Sequence, residues 1–166
     1  MSISRFAALA VGLVAAGSLV GIAAPQASAM AGSCSGGQLT MNTNPIGMNE
    51  GPVTAQIDGQ LTGCTGTPSQ TAHFTGDFTG NGSCLDVNGM VNANLDWGNG
   101  QNTTANGPYH VAGGPTPPPS TNTVPTSDGG SMTVQQAGPD AGAVTGPCLS
   151  DSARTLSVPI TNVTFA

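Results

Sequence analysis

The sequence predicts an all-β domain: an antiparallel β-sandwich of Ig-like or Greek-key type, with about seven to nine short strands and two disulfides. Three observations predict it. Over residues 71–79 polar side chains alternate with Ala72, Phe74, Gly76 and Phe78, and over 91–97 with Val91, Ala93, Leu95 and Trp97. A period of two puts each set on one face of a pleated strand. Turn signals made of Gly, Asn, Asp and Pro recur at short intervals, and no helical period follows Ala29. The third observation is four cysteines, Cys34, Cys64, Cys84 and Cys148. A small β-barrel is the alternative arrangement of the same strands.

Residues 1–29 read as a secretory signal peptide. Arg5 charges a short leader, 6–24 is an apolar run, and Ala27-Ser28-Ala29 is a small-x-small cleavage site. The run approaches membrane-spanning length, but Gly17, Ser18, Gly21 and the cleavage site favour release. The expected product is one secreted, extracellular β domain, 30–166, off the membrane once the signal is cut. The chain has eight acidic and two basic residues, a formal net charge of −6 and no lysine. Arg154 is the one basic residue beyond the leader, so no cationic patch can form for nucleic acid or an anionic membrane surface. Thr, Asn, Ser, Gln and Gly must carry the surface.

In an exported chain four cysteines read as two disulfides. Zinc fits less well, because no C-x-x-C pair exists and His73 and His110 lie far from ligand spacing. A hairpin of 38–41 with 53–62, turning near Asn49, brings Cys34 beside Cys64 and leaves Cys84 for Cys148. That pairing is favoured, and each bond contributes about 3–4 kcal/mol by the chain-entropy model.

Along the chain, 30–37 is a small-residue lead-in, 38–41 a short strand and 42–52 a loop. The strand at 53–62 is interrupted by Asp58-Gly59, read as a bulge that lets it run on toward Cys64. A turn at 63–70 precedes the central pair, which is joined by an Asn81-Gly82 turn carrying Cys84. Gly98-Asn99-Gly100 marks a tight hairpin. A return strand at 101–105 ends at Asn106-Gly107-Pro108, and 109–112 is a further short strand. Residues 113–130 form a Pro-rich loop, stiff at Pro117-Pro118-Pro119. Met132 and Val134 open the next strand, and 138–147 is rich in turn residues. In 155–165, Leu156, Val158 and Ile160 are in register before the phase shifts to Val163 and Phe165. Pro159 cannot donate to a ladder, which places it at an edge or a bulge.

The residues assign no catalytic group. There is no G-x-S-x-G, and no thiol remains once the cysteines pair. His73 falls on a polar strand face and reads as solvated; His110, with an Asp to orient it, is the best position for a hydrolase. Asp77 and Asp96 could serve as paired carboxylates for glycoside hydrolysis, but one Trp and one Tyr make thin aromatic walls. Asp77, Asn81, Asp86 and Asn88 offer oxygen ligands suited to calcium, yet the twelfth position from Asp86 is Trp97 rather than an acid. No metal or cofactor is therefore expected. Trp97, Tyr109 and His110 are the candidate binding residues. Trp97 could stack on a sugar, although its alternation with Ala93 and Leu95 also suits a core position.

The order Cys34, Gly63-Cys64, Thr79-Gly80 ahead of Cys84, Trp97-Gly98-Asn99-Gly100, Cys148 and a terminal β-segment resembles that of small, exported, β-rich actinobacterial proteins with no assigned activity. The resemblance implies a secreted, disulfide-bonded β-sandwich and carries over no catalytic residue. Neocarzinostatin-like carriers are similar in size, acidity and two-disulfide form, but their disulfides close shorter loops. Actinobacterial subtilisin inhibitors share the four-cysteine plan, with a helix-containing fold that the strand pattern here does not match. The expected function is a non-enzymatic extracellular or cell-envelope module for interaction or structure, with an unknown extracellular partner. A secreted inhibitor or small-ligand carrier is the alternative.

Overall fold

The computed structural model describes residues 29–112, 119–139 and 141–166. The expected signal peptide, up to residue 28, and positions 113–118 of the expected Pro-rich loop lie outside the described residues. Eight strands and one helix follow in order: β1 Gly32–Ile46, β2 Gly51–Thr65, β3 Thr71–Ser83, β4 Asp86–Asp96, β5 Asn102–Ala112, β6 Ser120–Pro125, β7 Ser131–Gln136, α1 Ala141–Leu149 and β8 Ala153–Phe165.

All eight strands belong to one antiparallel sheet, in the order β5-β4-β3-β2-β1-β8-β7-β6. Sequence neighbours lie side by side, and β8 returns to pair with β1. The two ends of this sheet, β5 and β6, meet at a bridge between Ala105 and Thr126. The sheet is thus rolled into a nearly closed barrel. The expected two-sheet sandwich is not what the chain builds, and the small barrel fits. Alternation decides which face of a strand is apolar, and that face can be covered by a second sheet or by the same sheet curling over itself.

The interior is apolar. Leu39, Met41, Val53, Ile57, Phe78, Leu95, Val124, Val134, Leu156 and Val158 are all buried there, while the intervening Thr, Asn, Gln and Asp face outward. Each large side chain buried this way stabilises the fold by about 1.5–3 kcal/mol. Two glycines make room for the rings. Gly59 sits opposite Phe74, and a Cβ there would come 2.2 Å from the ring; at Gly89 a Cβ would come 2.6 Å from the Phe78 ring. Small residues facing large ones let the rings fit inside a narrow barrel.

Several local expectations change. β1 begins at Gly32 and runs to Ile46, which absorbs much of the expected lead-in and loop. β2 does run through Asp58-Gly59, but with unbroken register on both sides and no bulge. Asn81-Gly82 lies inside β3, and the turn is made by Cys84-Leu85. Asn106-Gly107-Pro108 does not end a strand, because β5 stays paired with β4 from Asn102 to Ala112. The second half of the Pro-rich stretch forms β6 and the turn to β7. Helix α1, Ala141–Leu149, begins within the turn-rich 138–147 passage and runs two residues past it; just beyond its end Asp151 adopts the left-handed conformation (φ 50°), a conformation Asp tolerates better than most residues. The phase shift in the last strand is real. Between β7 and β8 the register slips at Gln135/Gln136, next to Pro159, as a bulge would require. β8 itself is an interior strand of the sheet, between β1 and β7.

Cys34 and Cys64 are direct register partners in β1 and β2 and form one disulfide; Cys84 and Cys148 form the other. These are the pairs the hairpin reading favoured. The second bond ties the β3–β4 turn to α1, and the Cys84 N–H donates to the Gly47 carbonyl in the β1–β2 turn (2.8 Å). Three connections are thereby gathered at one end of the barrel. At the other end Trp97 closes the interior, fully buried and edge-on to Phe165 with ring centroids 5.4 Å apart.

Candidate functional site

The candidate site is built around the seam where β5 meets β6. Along β5, Thr104 and His110 turn their backbone groups toward β6. Ser127 N–H donates to the Thr104 carbonyl (2.8 Å), and the His110 N–H donates to Asn122 Oδ1 (2.8 Å). Backbone direction alternates along a strand, so Pro108 faces the same seam. Just past β6, Thr126 bonds back toward Gly130 while Ser127 bonds across to β5, which turns Pro125, the last residue of β6, toward the seam as well. Neither proline has an N–H to give. The strands approach but cannot complete a ladder.

Side chains finish the closure. The Asn122 amide accepts from the His110 N–H and donates to the His110 carbonyl (3.0 Å), standing in for a strand partner. Gln136 Nε2 donates to that same carbonyl (3.1 Å) and to Ser120 Oγ (2.9 Å), and its Oε1 accepts from the Tyr109 hydroxyl (2.5 Å). Asn122 and Gln136 are buried, and every polar atom of this cluster has a partner, as burial demands. Burial pushes the Tyr109 hydroxyl well above the ordinary tyrosine value. Sequence reading missed both amides, although a signal was present. Asn122 is in phase with inward Val124, and Gln136 with inward Met132 and Val134.

The three candidate binding residues separate. Trp97 has no exposed face, and its indole N–H donates to Thr103 Oγ1 (3.0 Å), so it offers no surface for sugar stacking. Tyr109 points into the barrel. His110 alone is on the outer wall, where its Nε2 lies 3.0 Å from Asp86 Oδ1. The outer surface over the seam is a shallow groove of mixed polar and apolar lining, bordered by Asn88, Pro108, His110 and Asn122. His73 makes a matching exposed pair with Asp58, also at 3.0 Å.

The other constellations do not assemble. Asp96 sits opposite His73 and Asp77 opposite Asn92. Four residues along the strand, roughly 13 Å, separate the two carboxylates, beyond the spacing of a glycosidase pair. In the proposed calcium set, Asp86 pairs with Ser83, six residues or roughly 20 Å along β3 from Asp77. Asp77 accepts from Gln56 Nε2, and Asp86 from Asn88 Nδ2. Among the described residues no group of three or more His, Cys, Asp or Glu could hold a metal ion.

Inside the barrel is an apolar cavity of about 40 Å³, bordered by Phe74, Leu95, Tyr109, Met132 and Ile160 among others. The large apolar side chains exposed among the described residues are Met48, Leu85, Met90 and Leu149. Met48 is in the β1–β2 turn, Leu85 in the β3–β4 turn and Leu149 at the end of α1, all at the disulfide-tied end. No helix among the described residues is long and apolar enough to cross a membrane. No protein-family model, curated protein or solved structure matches the chain.

Proposed function

We propose that this chain is an exported, non-enzymatic extracellular or cell-envelope interaction module, with its contact surface at the disulfide-tied end. One observation carries the reading. The outer wall is mostly Thr, Asn, Gln and Asp, with Met90 on β4 as its one large exposed apolar side chain among the described residues, whereas Met48, Leu85 and Leu149 are exposed (44%, 44% and 71%) on three elements held together by Cys84–Cys148 and the Cys84–Gly47 hydrogen bond. Singly exposed apolar residues are ordinary; a group of them on a braced end favours a protein partner with an apolar contact. Two disulfides suit an oxidising compartment. The test compares the wild-type protein with the triple Met48→Ser, Leu85→Ser, Leu149→Ser variant, each immobilised and exposed to the host's culture medium and envelope extract. A partner held by the wild type and lost by an equally stable variant supports the reading. Equal capture by both contradicts it.

Small-ligand carriage is the second reading, favoured by the apolar cavity inside the barrel. At about 40 Å³ that cavity is far below the roughly 300–1,000 Å³ of drug-sized sites, so side chains would have to move to admit more than a few atoms. Native mass spectrometry of the protein from its own medium separates the two. A retained small molecule moves carriage to the front, and a bare chain leaves the interaction module ahead.

A further inference from the structure

At the end of the barrel opposite the second disulfide, the Met30 backbone nitrogen lies 2.7 Å from Asp128 Oδ2. Asp128 is held for this contact. Its other oxygen, Oδ1, accepts from Thr126 Oγ1 (2.6 Å) and from the Gly130 N–H (3.3 Å), fixing the carboxylate within the β6–β7 turn. The turn is itself closed by Thr126 N–H to the Gly130 carbonyl (3.0 Å). Directly after it, Ser131 and Ala166 exchange backbone hydrogen bonds of 2.7 and 3.0 Å. Met30, the β6–β7 turn and the end of β8 therefore meet at one place.

We propose that Asp128 is the receptor for the α-ammonium group created when the leader is removed between Ala29 and Met30, so that processing completes an ion pair in the fold. The inference rests on the export reading for the cleavage itself. In that step the Ala29–Met30 amide bond breaks under a signal peptidase. Water supplies hydroxide to the Ala29 carbonyl carbon and a proton to the Met30 nitrogen, which takes a second proton from solvent at neutral pH. A neutral N–H donor at 2.7 Å thus becomes a cation at the same position, and charge-assisted bonds are the stronger kind. The chain has little other cationic charge to offer a carboxylate. It has no lysine, and the pairs of basic and acidic side chains within 4 Å among the described residues are the histidine contacts His73–Asp58 and His110–Asp86. The turn is already set for an anion: burial pushes the Asp128 carboxyl up, but hydrogen bonds from Thr126, Met30 and Gly130 outweigh it and hold the group below the ordinary carboxylate range.

The absence of lysine supplies the test, since the α-amine is then the one primary amine in the processed chain. The full chain is exported from a bacterial host, purified from the medium and weighed intact. It is then treated with an amine-reactive acetyl ester, alongside the Asp128→Asn variant. The expected result is a mass beginning at Met30, one acetyl group per chain, and labelling roughly two- to fivefold faster in the variant. Acetylation should lower the melting temperature of the wild type and leave that of Asp128→Asn unchanged. If the variant fails to fold, reductive dimethylation of the wild type, which keeps the charge, should preserve the melting temperature that acetylation lowers. Equal labelling rates, or equal melting temperatures for acetylated and dimethylated protein, would overturn the ion pair. A mass with the leader retained defeats the export reading and this inference together. A mature start at any other residue defeats this inference alone.

Discussion

The β1–β2 and β5–β6 junctions are both contacts between antiparallel strands in the same barrel, but different groups hold them. β1 and β2 pair by backbone from Ser33↔Thr65 to Thr43↔Ala55, with Cys34–Cys64 bonded within the ladder. β5 and β6 share a bridge at Ala105↔Thr126, and the rest of the junction is made by side chains: Ser127 Oγ, which accepts from the Thr104 N–H (3.1 Å), and the amides of Asn122 and Gln136. Pro108 and Pro125 account for the difference, since each removes the donor that a ladder would need. A nearly closed barrel therefore does not need a continuous backbone ring. It needs every buried polar group at the junction to find a partner, and side chains can supply those partners.

The largest effect belongs to the ladder side. Phe78→Ala removes a fully buried ring from β3 and should cost about 3–5 kcal/mol in chemical denaturation; a loss below about 1 kcal/mol would mean that the interior is not packed as described. The seam comes next. Asn122→Ala strands the His110 N–H and should cost about 1–3 kcal/mol, with the change concentrated in local opening of β5 and β6. The cost should be smaller than that of Phe78→Ala and larger than that of Asn92→Ala, an exposed position on the β4 ladder, where a change within about 0.5 kcal/mol is expected.

Alkaline pH sharpens the comparison from the seam side. The hydroxyl of Tyr109 has a higher pKa folded than unfolded, so its contribution is intact below about pH 10 and is lost as the pH rises toward the folded value. Unfolding free energy should fall by about 1.4 kcal/mol per pH unit above about pH 10. Tyr109→Phe should remove that slope. An unchanged slope would show that another group controls alkaline unfolding.

Much of the barrel wall was legible in the sequence. Alternation in 71–79 and 91–97 found β3 and β4 with the correct inward faces, Gly98-Asn99-Gly100 marked their exit hairpin, and the phase change after Ile160 located the bulge in β8. What escaped was structure supplied by a neighbour. Asn106-Gly107-Pro108 carries turn chemistry, but pairing with β4 holds it extended, and the proline matters only on the seam side. β6 is six residues long and sits in a Pro- and Gly-rich stretch, with Asn122 taking an inward position that usually belongs to an apolar side chain. Helix α1 has Gly146 and Pro147 near its end and no amphipathic pattern, and its Cys148 is fastened to Cys84 by a disulfide. Closure itself was beyond a periodicity argument, because period two describes the strand and not the curvature of the sheet. The candidate site was less legible still: His110 was identified as a side chain, whereas its backbone is what the seam organises.

The most direct measurement is residue-resolved hydrogen exchange on the native protein. If the seam is the weak line of the barrel, backbone amides of β2 and β3 will exchange only through global unfolding. The seam-facing amides of Thr104 and His110 will exchange faster, through local opening, and faster again in Asn122→Ala. Equal protection of β5–β6 and β1–β2, unaffected by Asn122→Ala, would contradict a side-chain-stitched closure.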